Sequence, residues 1–367
     1  MTGKLVFENI KHKPMRSLLS ILLIGVPVTL ILCLVGLSYG MIQDTQNRTR
    51  GIGADIVLRP KGSSYMSLTG APIPQQMVAF MAKQPNIQSA TGVVNQTIEG
   101  VTLGAAGINF AEFNAMSGGF KFIEGGPFRR PDDVIIDDFY ANQKKKKTGD
   151  TVRMLNSDWH VSGVIRSGML AHIVLPIDTL QDKTGTTGKV SQIYMKVVPG
   201  ANVSATVEAL KKIPGLEDWP IYSIEEFASL LSIGNVPGLQ PFIIVIMGIG
   251  VVIGFAVVCL SMYMAVLQRT REIGILKSLG GSKSFILQVI LSEALLLGIG
   301  GTILGILMSY GAYWLIKTLV PASLPMVIVY RWWPIAGGIT IVGALLGSLY
   351  PGLTAAAHDP IEALAYE

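Results

Sequence analysis

Four stretches of this 367-residue chain are long, apolar and almost free of charge, and that pattern restricts its fold more than any other feature. No charged residue occurs from Ser17 to Gln43, or from Phe227 to Gln268, where the richly apolar part begins near Pro241. From Ser284 to Ile316 the one charge is Glu293, and from Trp332 to Ala357 there is none. A bilayer core about 30 Å thick is crossed by about 20 helical residues. Each stretch suffices. Unpaired backbone groups cannot sit in hydrocarbon, so the spacing predicts four membrane helices, near 17–40, 242–267, 286–316 and 332–356. Pro27 is expected to give the first no more than a mild kink. Composition agrees: 50% of residues are apolar, 14% are charged and the mean hydropathy is +0.50. The first stretch has a basic start (Lys4, Lys11, Lys13, Arg16) but exceeds the apolar core of about 7–15 residues usual in a signal peptide, so a retained helix is expected.

Charge placement orients the chain. Basic residues in short loops stay in the cytoplasm. Residues 1–16 carry four Lys/Arg against one Glu, and 268–284 carry Arg269, Arg271, Lys277 and Lys283 against Glu272. The loop between the third and fourth spans has Lys317 and Arg331 at its edges. Both termini and the 268–284 loop are therefore expected inside, with 43–240 outside. That outer region is nearly neutral, with 19 Lys/Arg and 18 Asp/Glu. The pI of about 9.1 thus reflects membrane anchoring, and no nucleic-acid partner is expected. Cys33 and Cys259 both fall inside predicted spans, so no disulfide supports the outer region and the redox compartment is undefined.

The expected organisation is a cytoplasmic amphipathic N-terminus (1–16), a first membrane helix (17–42), an outer domain (43–240) and a membrane domain with three more helices (241–367). Fold class is α-helical membrane protein with a two-lobed α/β extracytoplasmic domain inserted between helices one and two. Alternation predicts strands at Ala54–Arg59, Val93–Ile98, Ile193–Val198 and near Trp219–Tyr222. Helical periodicity fits Gln75–Lys83, and Val203–Ile213 after the capping candidate Asn202. These form one lobe. The stretch 126–190 carries short strands near Val134–Ile136, Thr151–Met154, His160–Ile165 and His172–Leu175, expected as a small, mostly β second lobe.

No catalytic constellation is legible. Asp132/Asp133 and Asp137/Asp138 are sequence neighbours, which point to opposite faces of a strand, so they are expected as solvated turns and not as an acid/base pair. His160 and His172 lack metal-ligand spacing to another His or Cys. Lys144–Lys147 is expected as a solvated loop. Thr184-Gly-Thr-Thr-Gly-Lys189 has the look of a phosphate loop, but Val190 stands where Ser or Thr is required and the first Gly is misplaced. The expectation is that this chain binds no cofactor or metal, is not an enzyme, and that any ATP and Mg act on another chain. Each span contains a Gly-x-x-x-Gly pair: Gly36/Gly40, Gly250/Gly254, Gly301/Gly305 and Gly343/Gly347, as close-packing candidates. Glu293, the intramembrane acid, is costly in lipid; either a structural partner such as Arg269 or Arg271, or a conformational role, accounts for it.

The segment Gln268-Arg-Thr-Arg-Glu-Ile-Gly-Ile-Leu-Lys-Ser-Leu-Gly-Gly-Ser-Lys283 resembles the signature of the FtsX-like permease domain of the MacB, LolC/LolE and FtsX group of ABC transporters. Tyr350-Pro-Gly-Leu-Thr-Ala-Ala-Ala-His-Asp-Pro-Ile-Glu-Ala-Leu364 resembles that domain's ending. Glu8-Asn9-Ile10 with Lys13-Pro-Met-Arg-Ser-Leu-Leu19 resembles the family's entry into its first helix. Val134–Asp138, Gly149-Asp150-Thr-Val152 and Val161-Ser-Gly-Val-Ile165 resemble the MacB-type periplasmic core. The likeness covers essentially the whole chain. It implies a type VII ABC transporter permease in a bacterial inner membrane, working with a cytoplasmic ATPase dimer, a second permease copy or paralogue, membrane lipid and a periplasmic adaptor. MacB carries a fused ATPase, so the layout resembles the separate-permease members. Family members export macrolides, peptides or glycolipids, or extract lipoproteins; the alternative is a signal relay, as FtsX-like members activate cell-wall hydrolases. The ATPase-coupling helix then comprises Arg271, Glu272, Ile273, Ile275, Leu276, Lys277 and Leu279. Ile275, Leu276 and Leu279 form an apolar stripe, ended by Gly280-Gly281. By composition alone the stripe fits a partner's groove or the membrane surface; the resemblance favours the ATPase.

Overall fold

The computed structural model describes residues 14–63, 72–99, 103–235, 238–268, 270–319 and 325–357. Four of its helices are long and apolar enough to cross a membrane: a first span at Pro14–Gly51, a second at Leu239–Gln268, a third at Lys283–Leu319 and a fourth at Trp332–Ala357. The chain divides into two units. One holds 238–318 with the described residues of 1–39 and 326–367, and the other the described residues of 40–237 with 319 and 325.

In the membrane unit the four spans share one core. Ile24 from the first, Val258, Met262 and Ala265 from the second, Ala294 and Leu297 from the third and Ala344 from the fourth pack in a single cluster. With no hydrophobic drive between helices in lipid, close approach depends on small side chains and interhelical hydrogen bonds. Both occur where the first and third spans cross. A Cβ added at Gly305 would lie 2.6 Å from Val28 Cβ and 2.7 Å from the Gly25 carbonyl oxygen. The Thr29 hydroxyl donates to the carbonyls of Gly25 (2.9 Å) and Gly305 (3.0 Å). Ser20 and Ser261 join the first and second spans at 2.6 Å. Pro27 leaves the first span continuous. The Gly-x-x-x-Gly pairs divide: Gly36, Gly301, Gly305 and Gly347 face a neighbour closely, whereas a Cβ at Gly254 or Gly343 meets nothing within 4 Å. Tyr310, Tyr330 and Trp333 form an aromatic group at one end of the third and fourth spans, as at a lipid–water interface.

The outer unit is built on β1 (Ile56–Leu58), β2 (Ile73–Pro74), β3 (Ile87–Glu99), β4 (Leu103–Ile108), β5 (Phe122–Gly125), β6 (Asp133–Asp137), β7 (Thr151–Met154), β8 (Ser157–Ile165), β9 (Ile173–Pro176), β10 (Lys189–Val190), β11 (Gln192–Val197) and β12 (Ile221–Ser223). The sheet order is β12-β1-β11-β3-β4-β9-β6-β8-β5, with β7 on β8 and β10 paired to β2 apart. β4–β9 and β6–β8 are parallel; the other pairs are antiparallel. The two expected lobes meet at β4–β9, where Ala105–Ile108 runs beside Ile173–Pro176, so they share one continuous sheet.

Both faces of that sheet are covered. Ile56, Leu58, Val134 and Ile136 point into one cluster, while Val57 and Ile135 point into the other, as a pleat requires. The first face packs on helices Gln76–Ala82, Ile177–Thr184 and Val203–Lys211 through Met81, Leu180, Val207 and Leu210. The second packs on Phe110–Ser117 and Ile224–Leu230 through Phe113 and Phe227. Double burial explains the unbroken apolar runs Ile56–Leu58 and Val134–Ile136. Asn202 caps its helix as expected, its side chain accepting from the Ala205 N–H at 3.1 Å.

The tight crossing yields a prediction. Gly305→Leu should destabilise the purified protein by about 1–3 kcal/mol through overpacking. Gly254→Leu, with open space before it, should leave the melting temperature in detergent unchanged. Equal melting of the two variants would mean that the first and third spans do not cross closely.

Candidate coupling site

A short helix, Thr270–Ser278, follows the second span and ends at Gly280, whose φ of +93° favours glycine over any L side chain. The Gly281 N–H closes the end on the Leu276 carbonyl at 2.9 Å. The membrane unit grips this helix from behind. Ile273 and Leu276 pack against Val266 of the second span, Ile286 and Ile290 of the third and Ala355 and Ala356 of the fourth. Lys277 Nζ donates to the Ala356 carbonyl at 2.9 Å, in the last turn of the fourth span, where carbonyls lack intrahelical partners.

The apolar stripe read from the sequence is therefore split. Leu276 turns inward, while Ile275 is 45% exposed and Leu279 80% exposed, one turn apart. Arg271 and Glu272 are on the helix; their side chains, and Arg269 entirely, lie outside the described residues. Glu293 is buried at 8% exposure in the third span and engaged in a polar or electrostatic interaction, so it is not a bare charge in lipid.

In the outer unit the sequence expectation of solvated aspartates fails at two positions. Asp133 and Asp137 are buried, at 2% and 0% exposure, because both ends of β6 are paired inside the sheet. Asp133 stands opposite His160 across the parallel β6–β8 pair, with Oδ1 3.2 Å from His160 Nδ1. Its Oδ2 accepts the Arg129 and Arg130 backbone N–H groups at 2.6 and 2.9 Å. Asp137 meets Arg48 and His172, at 3.1 and 2.9 Å from Oδ2. The histidines thus pair with carboxylates, and among the described residues no cluster of three metal-ligating side chains forms. Elsewhere in the domain, burial pushes the Tyr194 phenol pKa up, against the opposing pull of the Arg59 guanidinium. The Asp–His pairs had one sequence signal: both aspartates flank a fully apolar strand, where a solvated turn has little room.

Comparison with known proteins fits this architecture. A model of the MacB-like periplasmic core domain matches residues 17–213, and a model of the FtsX-like permease C-terminal matches 244–360. An uncharacterized ABC transporter permease of Methanocaldococcus jannaschii is 26% identical over 401 residues, covering 98% of this chain and 96% of its own. YknZ, an uncharacterized ABC transporter permease of Bacillus subtilis, is 27% identical over 401 residues, covering 99% and 98%. The macrolide export ATP-binding/permease protein MacB of Burkholderia cenocepacia is 25% identical over 393 residues, which are 97% of this chain and 56% of that one.

The split stripe predicts opposite outcomes for two nearby leucines. Leu276→Asp should lower the melting temperature of the purified chain markedly, since a charge enters an apolar cluster at a cost of several kcal/mol. Leu279→Asp should change stability by no more than about 0.5 kcal/mol. A stable Leu276→Asp variant would contradict the inward placement.

Proposed function

The chain belongs to the ABC transporter permeases built from a MacB-like periplasmic core domain and an FtsX-like permease domain, and from that premise we propose that it couples ATP hydrolysis by a separate cytoplasmic ATPase to movement of its outer domain. The purpose is export or extraction of an amphiphilic substrate. One relative's name, macrolide export, supports that substrate class.

The observation that carries the reading is the outward pair Ile275 and Leu279 on a helix braced by three spans. A short helix with an apolar outer edge and a fixed back suits a groove on a partner protein. ATP and Mg then belong to that partner, with Arg271 and Glu272 flanking the contact. ABC ATPases work in pairs, so a two-fold assembly requires a second permease, a copy or a paralogue. The exposed apolar side chains of the second span, among them Val245, Ile249, Val252 and Leu260, face lipid or that second permease. A periplasmic adaptor completes the machine, in an inner membrane with both chain termini cytoplasmic. Substrate is handled by the outer domain or at the membrane surface beside it. The four charge-poor stretches 17–43, 227–268, 284–316 and 332–357 hold one acid, Glu293, and no continuous polar stripe, which argues against passage of a polar molecule between the helices.

The test is co-purification. The wild-type permease should bring down its ATPase. Ile275→Asp and Leu279→Asp should remain folded in the membrane yet retain less than about a tenth of it, because a buried unpaired charge costs several kcal/mol. Unchanged recovery by both variants would make the helix a membrane-surface element. In a background lacking Cys33 and Cys259, a cysteine at Lys146 should react with an impermeant thiol reagent from outside, and one at Ser282 only after the membrane is opened; the reverse pattern removes the transporter reading.

A further inference from the structure

The first span is one helix of 38 residues, Pro14–Gly51. At about 1.5 Å per residue it is about 57 Å long, against about 30 Å of hydrocarbon. Its final turns, from Gly40 onward, belong to the outer unit. There they end in a buried ionic cluster. Arg48, 7% exposed, donates from Nε to Asp44 Oδ2 at 2.7 Å, one turn back on the same helix. Its Nη2 reaches Asp137 Oδ2 at 3.1 Å and lies 3.0 Å from His172 Nδ1.

Asp137 ties three elements together at this point. It is the last residue of β6, and its Oδ1 accepts the Tyr140 N–H at 2.8 Å, capping the helix Asp138–Lys144. Phe139 of that helix stacks on the His172 ring, with centroids 4.6 Å apart. His172 immediately precedes β9, the strand that joins the two halves of the sheet. The neighbouring attachments of the first span go elsewhere. Gln46 Nε2 donates to the Leu231 carbonyl at 2.6 Å, and Arg50 pairs with the exposed Glu225 at 3.1 Å. Arg48 thus ties the helix by a directed polar contact to the middle strands.

We propose that Arg48 and Asp137 are positioning residues, forming the joint through which the first span moves β6, β9 and the helix after β6. The proposal rests on the permease reading for its use in transport, but the joint itself is a property of the outer unit. Apolar contacts between a helix and a sheet are non-directional and tolerate sliding. A charge-assisted hydrogen bond in a buried site fixes both distance and direction. Breaking a buried pair from one side leaves an uncompensated charge, so the joint resists opening under load. Asp44 holds the guanidinium in register while Asp137 receives it.

Asparagine at 137 keeps volume and capping ability but removes the charge, so Asp137→Asn separates the joint from the cap. The experiment uses the full chain in lipid nanodiscs, with Cys33 and Cys259 replaced by Ser and spin labels at the exposed positions Asn47 and Asn142. Pulsed electron paramagnetic resonance should give one narrow distance distribution for the wild type. Asp137→Asn and Arg48→Met should each broaden it at least twofold. Arg48→Lys, which can reach one carboxylate at a time, should fall between. Asp133→Asn, which breaks the Asp133–His160 pair at the other end of β6, should leave it narrow. The proposal is overturned if Asp137→Asn and Arg48→Met keep the narrow distribution, or if Asp133→Asn broadens it as much, since either result reduces the cluster to ordinary packing. Failure of the permease reading would show separately, as loss of ATPase co-purification from a wild-type chain whose distance distribution is unaffected.

Discussion

A peptide group in hydrocarbon must find its hydrogen-bond partner within the protein, and the architecture of this chain follows from that demand. It makes each uncharged stretch a helix. It also removes the usual hydrophobic drive for bringing helices together, because lipid tails are as apolar as leucine. What remains is contact distance. Gly25 and Gly305 allow the first and third spans to touch backbone to backbone, and the Thr29 hydroxyl ties the two carbonyls. Ile24, from the same turn of the first span as Gly25, then enters a core to which all four spans contribute.

The spans were legible because length and the absence of charge are sufficient signals, but their ends were not. The sequence reading stops the first helix near residue 40, where hydropathy falls; the helix continues to Gly51 through Gln43, Asp44, Gln46, Asn47 and Arg48. Those polar turns are held by tertiary contacts, with Ile42 buried and Arg48 paired, and periodicity of one sequence does not encode such contacts. Strands at 54–59 and 193–198 were visible from alternation, and one near 134–136 as a short apolar stretch. The joining of the two lobes was not, since the β4–β9 pairing depends on register between segments far apart in sequence.

The same limit explains the sites. A stripe of Ile275, Leu276 and Leu279 is readable from spacing, but which of its members faces outward depends on where the bundle sits. Leu276 packs on the buried cluster formed by the second, third and fourth spans, and the outward edge falls to Ile275 and Leu279. Asp137 looked like a turn residue because its partners, Arg48 and His172, stand 89 and 35 positions away. Reading each carboxylate against its sequence neighbour left out the strand Val134–Ile136 that separates the two aspartate pairs: a fully buried strand buries its ends too, and a buried carboxylate needs a cation or donors.

Under the proposed reading the attachments of the short cytoplasmic helix decide how work enters the molecule. A helix held only by apolar packing could rock without moving the spans behind it. This one is also held by Lys277, whose Nζ donates to the Ala356 carbonyl in the last turn of the fourth span, a directional contact that apolar packing does not supply. Ile273 and Leu276 add contacts to the second and third spans, so displacement of Ile275 and Leu279 by a partner is shared among three helices at once. The first span receives that displacement through the common core at Ile24 and the crossing at Gly25 and Gly305. Close-packed interiors transmit such strain because they have few voids to absorb it. The second span is held too, since a Cβ at Gly347 of the fourth would lie 2.7 Å from the Phe255 carbonyl oxygen, while the open glycines Gly254 and Gly343 lie off these close approaches.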